Sequence, residues 1–302
     1  MQPTPASSAP HKRPSREAVR RRRRRRAMRR LIGITIVLCV AAGVAGYALS
    51  RNSAVPSDNA ADTPDTSTTA PSQITSTAAS DSAASASSTP TNALGLNAAE
   101  AQAMLDDPLM ILVNHQNPMP ENYTFDTAKC GSPTATNKEL QTVACNAFLQ
   151  LQAAAAADGV TVNMQSGYRS VQYQSDLYVN KTNYFIGQGY DEATAKEMAA
   201  AVVNPPGYSE HNCGLAADLN TPEHPGLDEG FKDTAAFTWL CEHAGDYGFI
   251  LRYPLGKEDV TEITYEPWHW RYVGAENAAK INASGLCFEE YIDALRSIAS
   301  AV

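Results

Sequence analysis

The stretch over residues 31–49 constrains this chain more than any other feature, because it holds nineteen residues and no charged side chain. Nine arginines lie directly before it, between positions 20 and 30. About 20 apolar residues cross a bilayer core as a helix, and arginine-rich flanks stay on the cytoplasmic side. The sequence therefore predicts a basic cytoplasmic tail over 1–30, one transmembrane helix over 31–50, and all later residues outside the cytoplasm.

This end of the chain has two other interpretations. A cleaved signal peptide has an apolar region of about 7–15 residues followed by a small-x-small site, and Gly46-Tyr47-Ala48 fits such a site. An arginine run is also typical of nucleic-acid tracts. However, the basic residues are concentrated at this end: 13 of the 24 Lys and Arg, and only one acidic residue, lie at or before Arg51. The remaining residues carry 11 Lys and Arg against 31 Asp and Glu, which is a net charge of −20. A region this acidic is a poor binder of nucleic acid. The same charge argues against the hypothesis that the chain is an anchored DNA-uptake factor.

Residues 51–95 have the composition of a disordered linker. Of the 44 residues from 52 to 95, 32 are Ser, Thr, Ala or Pro, and none is aromatic. Such a segment cannot bury enough apolar surface to offset its chain entropy, and a flexible coil of this length spans roughly 35–40 Å. The segment resembles a stalk that holds a domain off the membrane. Its composition leaves O-glycosylation open.

Residues 96–302 have the size and pattern of a single domain of mixed helices and strands. Apolar residues over 137–157 fall at helical spacing, Asp158-Gly159 would end that helix, and 160–164 alternates like a strand. Aromatic and β-branched residues indicate the remaining strands. The further predicted helices are 191–203, 234–247, 275–283 and 289–299, and the further predicted strands are 249–253 and 268–273.

Two segments carry the residues best suited to chemistry. The first contains His211 and Asp218, and the second contains Glu266 and His269. Three of these four side chains would complete a catalytic zinc site that keeps one position open, which fits a hydrolase. A histidine near an acid is also common as a surface pair or a core hydrogen bond. His224, six residues after Asp218, is an alternative ligand.

Four motifs in order carry a resemblance to a known family. From about Ile111 to about Tyr291, the chain resembles the VanY-like carboxypeptidases of the zinc-dependent D-alanyl-D-alanine peptidase group. Two departures, Cys213 in place of Thr or an aliphatic residue and Trp270 in place of Phe, remove no ligand. The motifs are Ser166-Gly-Tyr-Arg169-Ser, Ser209-Glu-His211 to Asp218, Tyr247-Gly-Phe-Ile-Leu-Arg-Tyr-Pro254, and Glu266-Pro-Trp-His269.

The resemblance implies an α+β fold, with a small antiparallel sheet flanked by helices, known as the zinc DD-peptidase or Hedgehog/DD-peptidase-like fold. It implies a metalloenzyme and excludes a serine-type peptidase. His211, Asp218 and His269 would bind Zn²⁺, and Glu266 would be the catalytic base for attack by water at the zinc. Arg169 would offer a cationic fork to the oxyanion or to the substrate carboxylate.

Three weaker assignments concern substrate contact. Tyr168, Gln174 and Ser209 lie in or near the family motifs and are expected to contact the peptide. Gln174 and Ser209 can equally be interpreted as a helix-surface amide and a loop cap.

Five cysteines follow the predicted span, an odd number that leaves at least one unpaired within the chain. No CxxC pair is present, which argues against a thiolate zinc site. Because Cys213 and Cys241 lie in segments that otherwise follow the family, we expect them to pair. Cys130 is expected to pair with Cys145, which leaves Cys287 free.

The predicted span and the resemblance together imply a membrane-tethered carboxypeptidase that trims D-alanine from peptidoglycan stem peptides outside a bacterial cell. The leading substrate is the pentapeptide that ends in D-Ala-D-Ala. An L,D-carboxypeptidase acting on the tetrapeptide stays open, because no motif separates the two. A non-catalytic wall-binding module on the same fold is a different class. Loss of Glu266 or of a ligand would favour that module, and all four residues are present.

The spacing of Glu266 and His269 also makes a geometric prediction. A separation of three would place both on one face of a helix, but Pro267 and the strand-like run after it favour a strand, where an odd separation sends side chains to opposite faces. We therefore expect a regular strand to begin only after Pro267, with Glu266 on a turn or bulge. The two earlier ligands, seven residues apart, need a similar break, which we expect at Gly214.

Overall fold

The structure is a computed structural model, and it describes residues 94–301. The predicted cytoplasmic tail and transmembrane helix, and all but the end of the predicted linker, lie outside the described residues. Within 94–301, none of the helices combines the length and the apolar character that a bilayer crossing requires.

A small antiparallel sheet lies at the centre of the described domain, as the resemblance to the VanY-like carboxypeptidases implies. Its four strands are arranged in the order β3-β4-β6-β5, and every neighbouring pair is antiparallel. A separate two-stranded ribbon pairs β1 with β2. The strands are β1 (Thr127–Lys129), β2 (Glu139–Gln141), β3 (Asn163–Ser166), β4 (Ala216–Asn220), β5 (Phe249–Leu251) and β6 (His269–Tyr272).

Eight α-helices accompany the sheet in the described region, together with several short 3₁₀ turns. The helices predicted over 191–203, 234–247, 275–283 and 289–299 are confirmed with small changes at their ends. The helices are α1 (Ala98–Asp106), α2 (Thr142–Ala157), α3 (Val171–Gly187), α4 (Glu192–Ala200), α5 (Ala235–His243), α6 (Glu258–Thr261), α7 (Ala275–Ser284) and α8 (Phe288–Ala299).

Two features of the helices differ from the sequence prediction. The start predicted near Asn137 is wrong, because β2 occupies the next residues and Gln141 donates its N–H to Gly214 O at 2.8 Å. Helices α1, α3 and α6 were not predicted at all. The apolar residues of α3 do not form one buried stripe, since Val179 and Tyr184 are exposed.

Two apolar clusters stabilise the domain. The main cluster combines side chains of the sheet, such as Leu219 and Trp270, with Phe148 and Leu151 of α2 and Leu240 of α5. The second cluster is formed largely by α1, α7 and α8, with Met104, Ile281, Tyr291 and Leu295 among its members. Helix α7 packs against the sheet edge that carries β5.

The breaks expected around the ligand candidates are confirmed. Strand β6 begins at His269, after a turn at Pro267-Trp268, and the His269 N–H donates to Glu266 O at 3.1 Å. Gly214 has a φ of 68° between a 3₁₀ turn and β4. A Cβ at Gly214 would lie 2.7 Å from the Phe125 ring, so glycine suits this position on both counts.

The two disulfides predicted from the sequence are not formed in the structure, where all five cysteines of the described region are free. The side chains of Cys130 and Cys145 are in contact but not bonded. Cys213 instead donates its thiol to Glu210 O at 3.0 Å inside the 3₁₀ turn, whereas Cys241 is exposed. Local turn geometry thus gives the Cys213 thiol an acceptor without a disulfide partner.

Candidate metal centre

Strand register brings two of the expected ligands together. Ser166 on β3 is paired with Asp218 on β4, and Asp218 is paired with His269 on β6. Residues directly opposite each other across antiparallel strands project from the same face. As a result, His269 Nδ1 lies 3.2 Å from Asp218 Oδ1.

His211 approaches the same carboxylate from the 3₁₀ turn Glu210–Cys213. Its Nε2 lies 3.3 Å from Asp218 Oδ1, and the two imidazole rings are perpendicular with centroids 4.9 Å apart. One ligand atom from each of His211, Asp218 and His269 lies within 4.8 Å of the other two. All three side chains are buried, with relative exposures of 2–3%.

The donor atoms of this cluster fit zinc. Neither His211 Nε2 nor Asp218 Oδ1, both buried, has a hydrogen-bond partner among the described residues. A buried polar atom left unpaired costs about 1–3 kcal/mol, whereas two imidazole nitrogens and a carboxylate oxygen are a donor set of catalytic zinc sites. The rival ligand His224 lies apart from this cluster and contacts Asp228 at 3.0 Å.

The electrostatics of the three side chains suit a cation. Burial and the nearby Arg169 charge lower the pKa of His211 to about 4, which favours the neutral ring that a ligand needs. Burial opposes ionisation of Asp218, but His211 and Arg169 hold its pKa well below the usual range. Burial likewise opposes a charged His269, yet the nearby carboxylates of Asp218 and Glu210 raise its pKa to about 9, so they attract positive charge to this ring.

Glu266 lies beside the cluster on the turn that precedes β6. Its Oε2 is 3.5 Å from His269 Nδ1, and the residue is 7% exposed. Burial raises the pKa of Glu266 to about 8. A carboxylate with raised proton affinity next to a cation site suits a general base that works near neutral pH.

Arg169 connects the motif after β3 to the ligand segment. Its Nε donates to Ser166 Oγ at 3.0 Å, and its Nη2 forms a short hydrogen bond to Asp218 Oδ2. Its backbone N–H donates to His211 O at 3.0 Å. The structure therefore gives Arg169 a contact that the sequence did not predict, in which it orients a ligand carboxylate.

Gly167 fixes the orientation of His211. Its carbonyl oxygen lies 2.7 Å from His211 Nδ1, which assigns the ring proton to Nδ1 and leaves Nε2 for a metal. A Cβ at Gly167 would lie only 2.2 Å from Glu139 O, a backbone atom of β2. Only glycine fits at this point of the chain.

A Gly167→Ala substitution should therefore damage both stability and the metal site. Moving the backbone away from Glu139 should cost about 1–3 kcal/mol of unfolding free energy, and displacing the His211 acceptor should weaken zinc binding by about 10-fold or more. Gly187→Ala at the end of α3 is the matched control, because nothing lies within 4 Å of its Cβ position. Denaturant unfolding and zinc titration measure both effects; equal behaviour of the two variants would contradict the assignment.

The residues expected to contact substrate lie in different environments. Tyr168 packs its ring edge-on against Phe125 with centroids 5.5 Å apart. Gln174 is buried on α3 and donates to Asn204 O at 2.7 Å. Ser209 is buried directly before the 3₁₀ turn that carries His211. Their roles toward a peptide stay predictions.

Sequence reasoning did not single out the polar residues behind the cluster. Tyr253 packs its ring at a tilt against His269, with ring centroids 4.7 Å apart, and Glu210, Arg252 and Arg271 are fully buried. One signal was available, since both arginines lie within runs predicted as strands among aromatic and aliphatic neighbours. An arginine in such a run indicates a buried charge that requires a carboxylate partner.

Comparison with known proteins identifies the family. The family described as VanY, D-alanyl-D-alanine carboxypeptidase, matches residues 137–275. YodJ of Bacillus subtilis is 34% identical over 197 residues, which cover 63% of this chain and 69% of that protein. The chain belongs to the VanY family. A D-alanyl-D-alanine carboxypeptidase of Enterococcus faecalis is 40% identical over 187 residues, and this chain spans 65% of its length, just under two thirds.

Solved structures of the VanY family resemble the fold. VanYB in complex with D-alanine-D-alanine is 38% identical with a TM-score of 0.54, covering 61% of this chain and 97% of that one. VanY from a VanB-type vancomycin resistance cassette, in complex with Zn(II), is 38% identical with a TM-score of 0.53, covering 61% and 98%. The LD-carboxypeptidase LdcB is 34% identical with a TM-score of 0.53, covering 62% and 86%.

Proposed function

We propose that this VanY-family domain is a zinc D-alanyl-D-alanine carboxypeptidase that removes the terminal D-alanine from peptidoglycan stem peptides. The observation that carries the proposal is the convergence of ligand atoms from His211, Asp218 and His269 within 4.8 Å, with Glu266 beside them. The solved VanY structures with Zn(II) and with D-alanine-D-alanine support the metal and the substrate class.

The three ligand candidates and Glu266 have distinct roles in this proposal. His211, Asp218 and His269 would hold the zinc ion, which as a Lewis acid would polarise the scissile carbonyl and acidify water. Glu266 accepts a proton from the attacking water and delivers it to the leaving D-alanine amine. Its side chain is buried, which raises its affinity for the proton that it would accept.

Arg169 is placed to serve two partners. Its contacts to Ser166 and Asp218 use two of the five N–H donors of a guanidinium. The remaining donors, on a side chain that is 15% exposed, would bind the oxyanion or the substrate carboxylate.

The second candidate function is that of an L,D-carboxypeptidase acting on the tetrapeptide stem. The similarity to LdcB, at 34% identity, favours keeping it. The zinc cluster and Glu266 serve both reactions equally, because they act on the peptide bond and not on the stereochemistry of the residue before it.

Defined muropeptides with pentapeptide and tetrapeptide stems test the proposal directly. We expect loss of one alanine from the pentapeptide by mass spectrometry, loss of this activity with a zinc chelator, and recovery when zinc is added. Cleavage of the tetrapeptide alone would favour the L,D-carboxypeptidase. Binding of muropeptides without any change of mass would favour a non-catalytic wall-binding module.

We also propose that residues 31–50 anchor the domain to the bacterial membrane, with the N-terminus in the cytoplasm and the catalytic domain outside. The arginines before the span, against Arg51 alone after it, support this orientation. Protease added to intact protoplasts should remove the domain and leave a cytoplasmic marker protein intact. Survival of the full-length chain there, together with its digestion after the protoplasts are lysed, would reverse the predicted orientation.

A further inference from the structure

A buried network of charges lies directly behind the candidate metal centre. Arg252 Nε donates to Glu210 Oε1 at 2.8 Å, and Arg271 Nη1 lies 2.8 Å from the same oxygen. Arg252 also donates two hydrogen bonds, at 2.8 and 2.6 Å, to Glu289 of α8. Buried ion pairs give little net stability, because desolvation of the charges offsets their attraction. Net stability therefore does not explain why these charges are buried beside the ligands, and a functional role does.

The second carboxylate oxygen of Glu210 faces a ligand histidine. Glu210 Oε2 and His269 Nε2 are both buried without a hydrogen-bond partner among residues 94–301. They lie 3.9 Å apart, which is too long for a hydrogen bond but about 1 Å from the usual range. Since each unpaired atom is costly when buried, a small approach that satisfies both is favourable.

Glu210 lies on the side of the His269 ring that is opposite the ligand cluster. Its Nδ1 points to Asp218 Oδ1, so metal binding at Nδ1 requires that the ring proton sit on Nε2. An acceptor at Nε2 stabilises that tautomer and fixes the ring orientation. His211 has the reverse arrangement, with Nδ1 held by Gly167 O and Nε2 on the cluster side.

We propose that Glu210 is a positioning residue whose Oε2 accepts the Nε2–H of His269, while Arg252 and Arg271 hold the carboxylate in place through Oε1. The inference rests on the proposed metal site. Glu289 belongs to the same charged network, but its side-chain hydrogen bonds come from Arg252 and Asn114 and not from His269. If the network served only the fold, substitutions of Glu210 and Glu289 would affect zinc affinity alike. A positioning role predicts that only a substitution of Glu210 weakens zinc binding.

Zinc affinity of the metal-free protein, measured by competition with a chromophoric chelator, tests this difference. In Glu210→Gln, the amide oxygen can stay with the arginines, which turns its NH₂ group toward His269 Nε2 and favours the proton on Nδ1. We expect the zinc Kd to rise about 10–100-fold. Glu289→Gln should leave the Kd unchanged, although both variants should unfold at lower temperature because each deprives Arg252 of a carboxylate.

Each outcome has one meaning. Wild-type protein that binds no zinc would refute the proposed metal site itself. If wild type binds zinc, two results would overturn only the positioning role. One is a Glu210→Gln Kd equal to that of wild type, and the other is a Glu289→Gln Kd raised as much as that of Glu210→Gln. If Glu210→Gln does not fold, ¹⁵N-resolved NMR of the zinc-loaded wild type decides: the Nε2–H proton of His269 should be shifted far downfield, as a bond to a carboxylate requires, and the shift of a free imidazole would overturn the proposal.

Discussion

Glu266→Gln should lower the kcat for release of D-alanine by about 10²–10⁴-fold, the usual cost of losing a general base. The amide keeps the size and shape of the side chain but cannot accept a proton from water. Glu266 is not among the three ligands, so zinc affinity should change little. Steady-state kinetics with the pentapeptide stem and a zinc titration of the same preparation measure both expectations.

The stability of the metal-free protein provides the control for folding. Burial raises the pKa of Glu266 from its ordinary 4.5 to about 8, so ionisation is disfavoured in the folded state. The stability that protonated Glu266 contributes is fully present below the ordinary pKa of the unfolded chain. It is lost as the pH rises through the raised pKa of the folded state. The neutral glutamine does not lose it, so at pH 8 the metal-free variant should melt no lower than wild type. Near wild-type turnover in a folded, zinc-binding variant would refute the assignment of the base.

The chemistry of the site was more predictable from sequence than its geometry. The residues alone offered His211, Asp218, Glu266 and His269 as candidates for a catalytic zinc site, and the resemblance to the VanY-like carboxypeptidases divided them into three ligands and a base. The turn before His269 was also predictable, since proline is excluded from the interior of a strand ladder. Spacing alone did not reveal that Asp218 lies opposite His269, because register depends on pairing between strands that are distant in sequence.

The parts that the sequence did not predict share a physical cause. Glu210 was not singled out from the sequence, because its partners Arg252, directly after β5, and Arg271, on β6, lie far from it along the chain. Helix α3 was missed because several of its apolar residues face solvent and give no helical stripe. Local pattern reports which side chains are polar, whereas the partner of each buried charge is decided by tertiary packing.

His211→Ala should abolish both zinc binding and hydrolysis, in contrast to Glu266→Gln. Loss of an outer hydrogen-bond partner of a ligand costs about 10–100-fold in affinity, so removal of the ligand itself should raise the zinc Kd by more than about 100-fold. His211 supplies one of only three donor atoms in the cluster, and its Nε2 lies on the Asp218 side of the ring. Chelator competition and kinetics with excess zinc should show both losses together.

His224→Ala is the matched control, because it removes a histidine from the loop just after β4 without touching the cluster. His224 is partly exposed and contacts Asp228, so the variant should retain zinc affinity and turnover. The three variants then separate the roles: His211→Ala loses metal and activity, Glu266→Gln loses activity alone, and His224→Ala loses neither. If His224→Ala lost zinc while His211→Ala retained it, the ligand set would be wrong. The third donor would then come from the loop after β4 and not from the 3₁₀ turn before it.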